Sequence, residues 1–393
     1  MRNRRRTFLN VFMIACGIAA IVVFSGYSHK IISGLQEVAI KAQYGHLEVA
    51  SDKLWTLSAK DSPRSRLIMP DPELTKKIAA LPEVDYISER ISFFGLVNSG
   101  EHNLSARGVG FDPERERDLR ELLPIIEGRN LKSNSGFEVV VGVGLQNQLG
   151  VKVGQSITVL SYTYDGSVNA IDAEVVGTFR TGLAEIDNST FYTPLAFSQN
   201  LLDSKAYERM IILLKNTEDT DEVRAKIDRL LPPGVSTRGW LELASFYRSV
   251  VGYFDMQNLV IEWILFVLAL LAIANTIGMS ISERTGEIGT VRAIGDTRQD
   301  IMWQFMTEGL VMGIVGGIVG CLLGLFMAWL LTSLKVPIVT PGATTPLLVE
   351  VDLLPSAFRD AFFLSCLVAM AATILPAYRA SRLGIVDALR RNI

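Results

Sequence analysis

Cysteine and histidine are scarce in this sequence, with three of each. Cys16, Cys321 and Cys366 all fall inside hydrophobic runs, which predicts buried packing positions rather than a disulfide framework. The histidines are scattered, and no Cys/His group has the spacing of metal ligands. We therefore expect neither a metal site nor a disulfide-stabilised domain.

A phosphate-binding loop and an excess of charge are also missing. No Gly-x-x-x-x-Gly-Lys-Ser/Thr run is present, which predicts that this chain does not hydrolyse ATP itself. The net charge of −3 argues against a nucleic-acid partner. We assign no catalytic residue and expect no cofactor on this chain.

Long hydrophobic runs are what the sequence does contain. Runs without Asp, Glu, Lys or Arg occupy residues 7–28, 263–282, 309–334 and 361–378. At about 1.5 Å per residue, each is long enough to cross a bilayer as a helix. We predict an α-helical membrane protein with four transmembrane helices and a large soluble domain between the first two.

Basic residues at the ends of these runs predict the orientation. Arginines precede the first run and follow the fourth, whereas residues 335–360 contain only Lys335 and Arg359 as basic residues. Both termini are therefore expected in the cytoplasm. The alternative for the first run is a cleavable signal peptide, but the run is long for one and no clear cleavage site follows it.

The predicted segments follow from these runs. They are the cytoplasmic N-terminus with transmembrane helix 1 (1–28), an extracytoplasmic domain with stalk helices (29–258), transmembrane helix 2 (259–282), a cytoplasmic segment (283–304), transmembrane helix 3 (305–334), an extracytoplasmic loop (335–356), transmembrane helix 4 (357–378) and a cytoplasmic tail (379–393).

The predicted extracytoplasmic domain contains two different secondary-structure patterns. Two strand–helix–strand patterns, at residues 46–97 and 210–234, lie far apart in the sequence and together predict one α+β layer. Between them, residues 98–193 are richer in strands and glycine. We predict two subdomains, one split and one inserted.

Proline-free helices are expected to leave the membrane on both sides of this domain. Apolar residues keep helical spacing beyond the first run, and residues 240–281 contain no proline. If unbroken, these helices form stalks that join the outer domain to the cytoplasmic segment. The predicted stalk positions are Ile31, Leu35, Val38, Phe246, Val250 and Phe254.

The cytoplasmic segment has the pattern of two helices joined by a sharp turn. Ile288, Val291 and Ile294 recur at helical spacing, Gly295 stands where a helix would end, and residues 297–300 have the form of a helix start. An ordinary solvated loop is the alternative interpretation.

Glycines recur every four residues in the third run, in two registers. The predicted packing positions are Gly309, Gly313, Gly316, Gly317, Gly320 and Gly324. Small residues at this spacing let helices approach closely in lipid, either at a dimer seam or against another span of the same subunit. A generic flexible span is the alternative.

Several motifs resemble those of MacB/FtsX-like ABC transporter permeases, a group that includes the LolC/LolE lipoprotein-release permeases. They are SERTGEIGTVRAIGD (282–296) with the glycines that follow, RGVGFDP (107–113), VGVGLQNQLGVKVGQ (141–155), VVGTFRTG (175–182) and PAYRASRLGIVDALR (376–390). The resemblance covers nearly the whole chain. One departure is Ile385, where the family commonly has proline.

The resemblance implies a MacB-type periplasmic domain and a coupling helix that docks on a cytoplasmic ABC ATPase. The residues expected at that contact are Glu283, Arg284, Glu287, Ile288, Val291, Arg292, Ile294 and Gly295. It further implies a location in the bacterial inner membrane, two ATPase copies that bind ATP and Mg, and a second permease subunit, identical or paralogous.

By the same resemblance, ATP-driven motion would be transmitted mechanically to the outer domain. Release of a lipoprotein-like or hydrophobic cargo is the preferred function, with a periplasmic carrier as a further partner. Alternatives are MacB-like efflux of peptides or amphiphiles through an adaptor and outer-membrane channel, and FtsX-like signalling to a periplasmic enzyme without transport. The roughly 230-residue outer domain is large for the signalling alternative.

Overall fold

The computed structural model describes residues 2–56, 62–116, 123–338 and 347–382. It divides the chain into two compact units. The helical unit contains the described parts of Met1–Ser33, Val250–Pro337 and Leu348–Ile393, and the α/β unit those of Gly34–Ser249 and Ile338–Leu347. Residues 339–346 of the predicted loop and residues 383–393 of the predicted tail, including Ile385, lie outside the described residues.

The elements have the following bounds. The helices are α1 (Arg2–Val38), α2 (Asp52–Thr56), α3 (Pro72–Ala79), α4 (Val143–Leu149), α5 (Ala184–Ser189), α6 (Leu195–Leu201), α7 (Thr220–Asp228), α8 (Trp240–Leu243), α9 (Ser245–Glu283), α10 (Thr285–Ile294), α11 (Arg298–Leu334) and α12 (Pro355–Ser381). A π-helix (Ala39–Tyr44) follows α1, and 3₁₀ turns lie at Pro63–Arg66 and Thr217–Asp219. The strands are β1 (Leu47–Ser51), β2 (Val84–Asn98), β3 (Asn103–Phe111), β4 (Ile125–Gly128), β5 (Glu138–Gly142), β6 (Ser156–Tyr162), β7 (Val168–Phe179), β8 (Thr190–Pro194), β9 (Arg209–Leu214), β10 (Val235–Gly239), β11 (Pro337–Ile338) and β12 (Leu347–Leu348).

The helical unit contains four helices, α1, α9, α11 and α12, that are long and apolar enough to cross a membrane. Their buried side chains form one cluster, with contributions such as Ile18, Ile277, Phe305 and Ala369. Of the four, α9 is the least covered by its own chain, since only one stripe, centred on Ile277, is buried. The predicted four spans and the mixed α/β domain between the first two are both confirmed.

One half of the α/β unit is an antiparallel sheet in the order β10-β1-β9-β2. Helices α3 and α7 cover it with Leu74, Ile78, Val223 and Ile227, all buried in the same cluster as the strands. Asp71 begins α3 by accepting hydrogen bonds from the backbone N–H groups of the first turn, at 3.0 and 3.1 Å.

The other half is a ring of six strands that closes on itself. The ring runs β2-β3-β8-β5-β7-β6 and returns to β2. Strand β2 belongs to both halves: residues 84–90 pair with β9, and residues 91–98 pair with β3. A closed ring leaves few strand edges exposed, which protects an insert of this kind from edge-to-edge association.

The two predicted stalk helices differ from expectation at their outer ends. Helix α1 is regular to Val38 and continues as a π-helix to Tyr44. The helix expected from Trp240 is interrupted at Ala244, where ψ is +66°, and α9 begins at Ser245. The cause is side-chain burial: Trp240 and Ala244 pack in a small cluster of the α/β unit.

Candidate functional site

The short helix α10 between α9 and α11 has well-defined ends. Gly295 terminates it with φ of +130°, a conformation that residues with a Cβ rarely adopt. The next helix begins with a reciprocal capping box, in which the Asp300 N–H donates to Thr297 Oγ1 at 3.3 Å and the Thr297 N–H donates to Asp300 Oδ2 at 2.8 Å. The predicted stop and start signals are both confirmed.

One side of α10 faces the core of the helical unit. Ile288 is only 6% exposed and belongs to the same cluster as Ile281 and Phe305. Thr285 is also buried, and its hydroxyl donates to the Ile281 carbonyl at 3.0 Å. The spacing of Ile288 suggested that it shares one apolar face with Val291 and Ile294, but the structure places it on a different, buried side of the helix. It anchors the helix and is not available to a partner.

The opposite side of α10 is open. Ile294 is 82% exposed, the Glu287 side chain is 73% exposed, and Val291 is exposed between them. These positions are three to four residues apart, so they share a face. The exposed isoleucine and valine beside a carboxylate give this face a small apolar patch with a charged neighbour.

Charged residues hold this helix against its neighbours. Arg284 precedes α10, and its Nε donates to Glu287 Oε2 at 3.2 Å, while its Nη1 lies 4.0 Å from Glu308 Oε2 on α11. Arg292 is half-buried and has a partner, as does Glu283 at the end of α9. The described residues contain no His/Cys/Asp/Glu group that could hold a metal ion.

The first glycine register on α11 faces α12. A Cβ on Gly313 would lie 2.8 Å from the Ala369 Cβ and 3.0 Å from the Ser365 carbonyl oxygen, and Gly309 and Gly317 meet the same helix. Ser365 Oγ donates to the Gly313 carbonyl at 3.0 Å across this contact. Glycine is needed here because the two helix backbones nearly touch.

The second register faces α1. A Cβ on Gly320 would lie 2.6 Å from the Ile18 Cβ and 3.0 Å from the Ala15 carbonyl oxygen, and Gly316 and Gly324 meet the same helix. Both stripes thus pack against spans of the same chain. The sequence left open packing at a dimer seam or packing within the subunit. Among the described residues, the glycines pack within the subunit.

The predicted stalk residues occupy the outer ends of α1 and α9. Ile31, Leu35 and Val38 lie on α1, the first two half-buried and Val38 exposed. On α9, Phe246 is 64% exposed, Val250 is half-buried, and the Phe254 ring lies 6.4 Å from the ring centres of Phe24 and Tyr27 in the helical unit.

Sequence reasoning missed an ionic network inside the α/β unit. Arg90 and Glu116 are both buried, and the Arg90 Nε donates to both Glu116 oxygens at 2.9 Å. Burial alone would lower the pKa of Arg90, but the Glu116 carboxylate reverses this and raises it. Burial also raises the pKa of Glu48, which Arg209 opposes at 3.4 Å. No spacing rule could have paired these residues, because Arg90 and Glu116 meet only through the fold.

Four helices able to span a membrane, a short helix between the second and third, and an α/β domain after the first are the arrangement of one class, the permeases of ABC transporters with a large outer domain. A model of MacB-like periplasmic core domains matches residues 7–230, and one of FtsX-like permease C-terminal regions matches residues 259–385. The chain belongs to the MacB/FtsX-like family of ABC transporter permeases. It is a membrane protein with an extracellular domain, and permeases of this family work with ATPase partners.

Similar proteins extend over almost the whole chain. The lipoprotein-releasing system transmembrane protein LolC of Neisseria meningitidis serogroup B is 24% identical over 413 residues, which cover 98% of this chain and 94% of LolC. The ABC transporter permease YvrN of Bacillus subtilis is 26% identical, with 99% and 96% covered. The macrolide export ATP-binding/permease protein MacB of Rhodopseudomonas palustris is 23% identical, with 99% of this chain but 58% of MacB covered.

Proposed function

We propose that this chain is the membrane subunit of a mechanotransmitting ABC transporter and that α10 is where a separate cytoplasmic ATPase binds. The open face of α10, formed by Glu287, Val291 and Ile294, carries the proposal. Burying an exposed aliphatic side chain contributes roughly 1.5–3 kcal/mol. Two such residues beside a charged side chain would form the apolar centre of a small interface with a polar rim.

The way α10 is anchored supports transmission of force. Ile288 locks the helix into the same cluster as Ile281 of α9 and Phe305 of α11. A push on α10 is therefore passed directly to two long helices. Packed cores shift as discrete bodies rather than deform smoothly, so a displacement at this point is not dissipated locally.

Extraction or export of a lipoprotein-like or hydrophobic cargo is the function that the similarities favour. LolC matches this chain over 94% of its own length, so nearly all of that lipoprotein-releasing protein has a counterpart here. Two ATPase copies carrying ATP and Mg, and a second permease subunit, complete the proposed assembly. The membrane is the bacterial inner membrane, with both termini and α10 on the cytoplasmic side.

MacB-like efflux is the second candidate. The similarity to a macrolide exporter covers 99% of this chain, as extensively as the similarity to LolC. Mass spectrometry of material that co-purifies with the chain and its ATPase would separate the two, since lipoproteins favour release and peptides or small amphiphiles favour efflux.

The docking assignment is tested by Ile294→Asp and Glu287→Arg in the full-length chain. We expect ATPase co-purification to fall about tenfold or more for Ile294→Asp, because an interface loses a buried aliphatic group. Glu287→Arg should lower it by a smaller factor. Membrane insertion should be unchanged, and the free energy of unfolding should change by less than about 1 kcal/mol, because neither side chain packs in the core and the Arg284–Glu287 pair is exposed.

The matched control is Asp360→Arg, which reverses an exposed charge on α12 outside α10. It should leave ATPase binding at the wild-type level. Wild-type binding by both α10 variants would overturn the assignment, as would accessibility of residue 294 to a membrane-impermeant reagent added from outside intact cells.

A further inference from the structure

A cleft of about 530 Å³ opens on the α/β unit, within the size range of small-molecule sites. Its lining mixes three arginines with hydroxyl groups and apolar side chains. All of its lining residues belong to the α/β unit. Nothing in the docking function of α10 uses this cleft.

Strand register builds the floor of the cleft. Arg90 on β2 pairs with Arg209 on β9, and Arg107 on β3 pairs with Thr190 on β8. Directly opposed residues on neighbouring strands project to the same face. The Arg107 Nη2 also donates to the hydroxyl of Ser92 at 3.4 Å, two residues along β2 from Arg90. Four adjacent strands, β9-β2-β3-β8, therefore present one polar surface.

The three arginines differ in how their charge is balanced. Arg90 is neutralised by buried Glu116, and Arg209 lies 3.4 Å from Glu48 and 3.1 Å from Glu208. Arg107 is exposed, and among the described residues its side chain hydrogen-bonds to the Ser92 hydroxyl rather than to a carboxylate. The cleft therefore has one cation available to a ligand.

The roof comes from the π-helix that follows α1. Arg90 Nη1 donates to the carbonyls of Ala42 and Gln43 at 3.2 and 2.6 Å, which fixes this irregular turn above the floor. Tyr44 on the same turn and Tyr192 on the floor line the cleft. Burial raises the pKa of both phenols, so each keeps its proton and can donate to an acceptor.

We propose that this cleft binds an amphiphile with a single negative charge, whose carboxylate or phosphodiester group meets Arg107. The tail lies along Val109, Leu183 and Phe246, which are apolar and line the same space. The one further charged side chain of the lining is Glu185, exposed on α5. Its negative charge opposes ligands with two negative charges and favours a head group with one.

The test uses the full-length chain in nanodiscs of phosphatidylcholine, with empty nanodiscs subtracted. Octanoate and dihexanoylphosphatidylglycerol are titrated in by calorimetry, as soluble probes for a free carboxylate and for a lipid phosphodiester. Octanol and octyltrimethylammonium carry similar tails without the negative charge. We expect one of the two anions to bind at a single site and the neutral and cationic probes not to compete.

Arg107→Gln should weaken anion binding about tenfold or more, because a hydrogen bond to a charged group is lost. Arg229→Gln, which removes an exposed positive charge at the end of α7, should not change it. Glu185→Gln should strengthen binding about twofold by removing a nearby negative charge. If Arg107→Gln does not fold, Arg107→Lys and Tyr192→Phe should each weaken binding by a smaller factor.

Absence of anion binding by the wild-type chain overturns the proposal. So does equal binding by wild type and Arg107→Gln, or equally tight binding of octanol or octyltrimethylammonium. Because no ATPase is present in the titration, failure here is distinguishable from failure of α10 to dock, and either proposal can stand without the other.

Discussion

The close contact between α11 and α1 gives a quantitative prediction. In Gly320→Ala the added Cβ would lie 2.6 Å from the Ile18 Cβ, a branched atom close to its own backbone, and 3.0 Å from the Ala15 carbonyl oxygen. Neither can move without shifting α1, and such overpacking typically costs about 1–3 kcal/mol. The preference of alanine over glycine in a helix returns about 0.5–1 kcal/mol.

Comparison with a matched variant cancels the contribution of the higher helix propensity of alanine. Gly278→Ala on α9 makes the same substitution where no other heavy atom lies within 4 Å of the new Cβ. The free energies of unfolding of the two variants should therefore differ by about 1–3 kcal/mol, with Gly320→Ala the less stable. In a melting experiment on the purified chain, each kcal/mol lowers the melting temperature by roughly 1 °C, because the entropy of unfolding is about 2.1 cal/mol/K per residue.

A melting temperature of Gly320→Ala equal to or above that of Gly278→Ala would refute this account of the glycine stripe. If the stripe were instead a seam between two subunits, the effect of Gly320→Ala would depend on protein concentration, whereas packing within one chain does not.

Three further perturbations test other parts of the structure. Burial lowers the pKa of His46 to about 4 from its ordinary 6.5, so the free energy of unfolding should fall by up to about 3 kcal/mol as pH falls from 6.5 to 4. Hydrogen exchange in β1 and β9 should show this decrease in the wild type and not in His46→Gln. Glu116→Gln should lower the free energy of unfolding by about 3–5 kcal/mol, because Arg90 stays buried without its carboxylate, and the double variant with Arg90→Met should recover part of the loss in a thermal melt. Val250→Pro, at the sixth residue of α9, should uncouple ATP hydrolysis from cargo movement, whereas Ser245→Pro at the first helical position should not. Preserved transport in Val250→Pro would contradict the lever mechanism.

Local signals in the sequence predicted local structure well. Gly295 ends α10, and Thr297 begins α11 with Asp300, both as their patterns indicated. Each of these features depends on residues within one turn of each other, so a short stretch of sequence contains all of its causes. The four apolar runs were recognisable for a similar reason, since length and composition alone decide whether a helix can span a membrane.

Features that depend on distant pairing were not predictable. Ring closure requires β6 to pair with β2 about sixty residues earlier in the chain, and alternation along either strand does not specify that partner. The burial of Ile288 was not predicted, because its spacing from Val291 and Ile294 was taken to mean that all three lie on the same exposed face. The bend at Ala244 has no proline or glycine signal, and follows from burial of Trp240 in the α/β unit.

Strand β2 makes the insert inseparable from the rest of its unit. The ring obtains one of its six strands from residues 91–98, directly continuous with residues 84–90 of the antiparallel sheet. A fragment of residues 98–193 alone would thus keep only five of the six ring strands, and β3 and β6 would each have an unpaired edge prone to self-association. A recombinant version of this ectodomain has to retain both chain segments, and homologous inserts should not be exchangeable as independent modules.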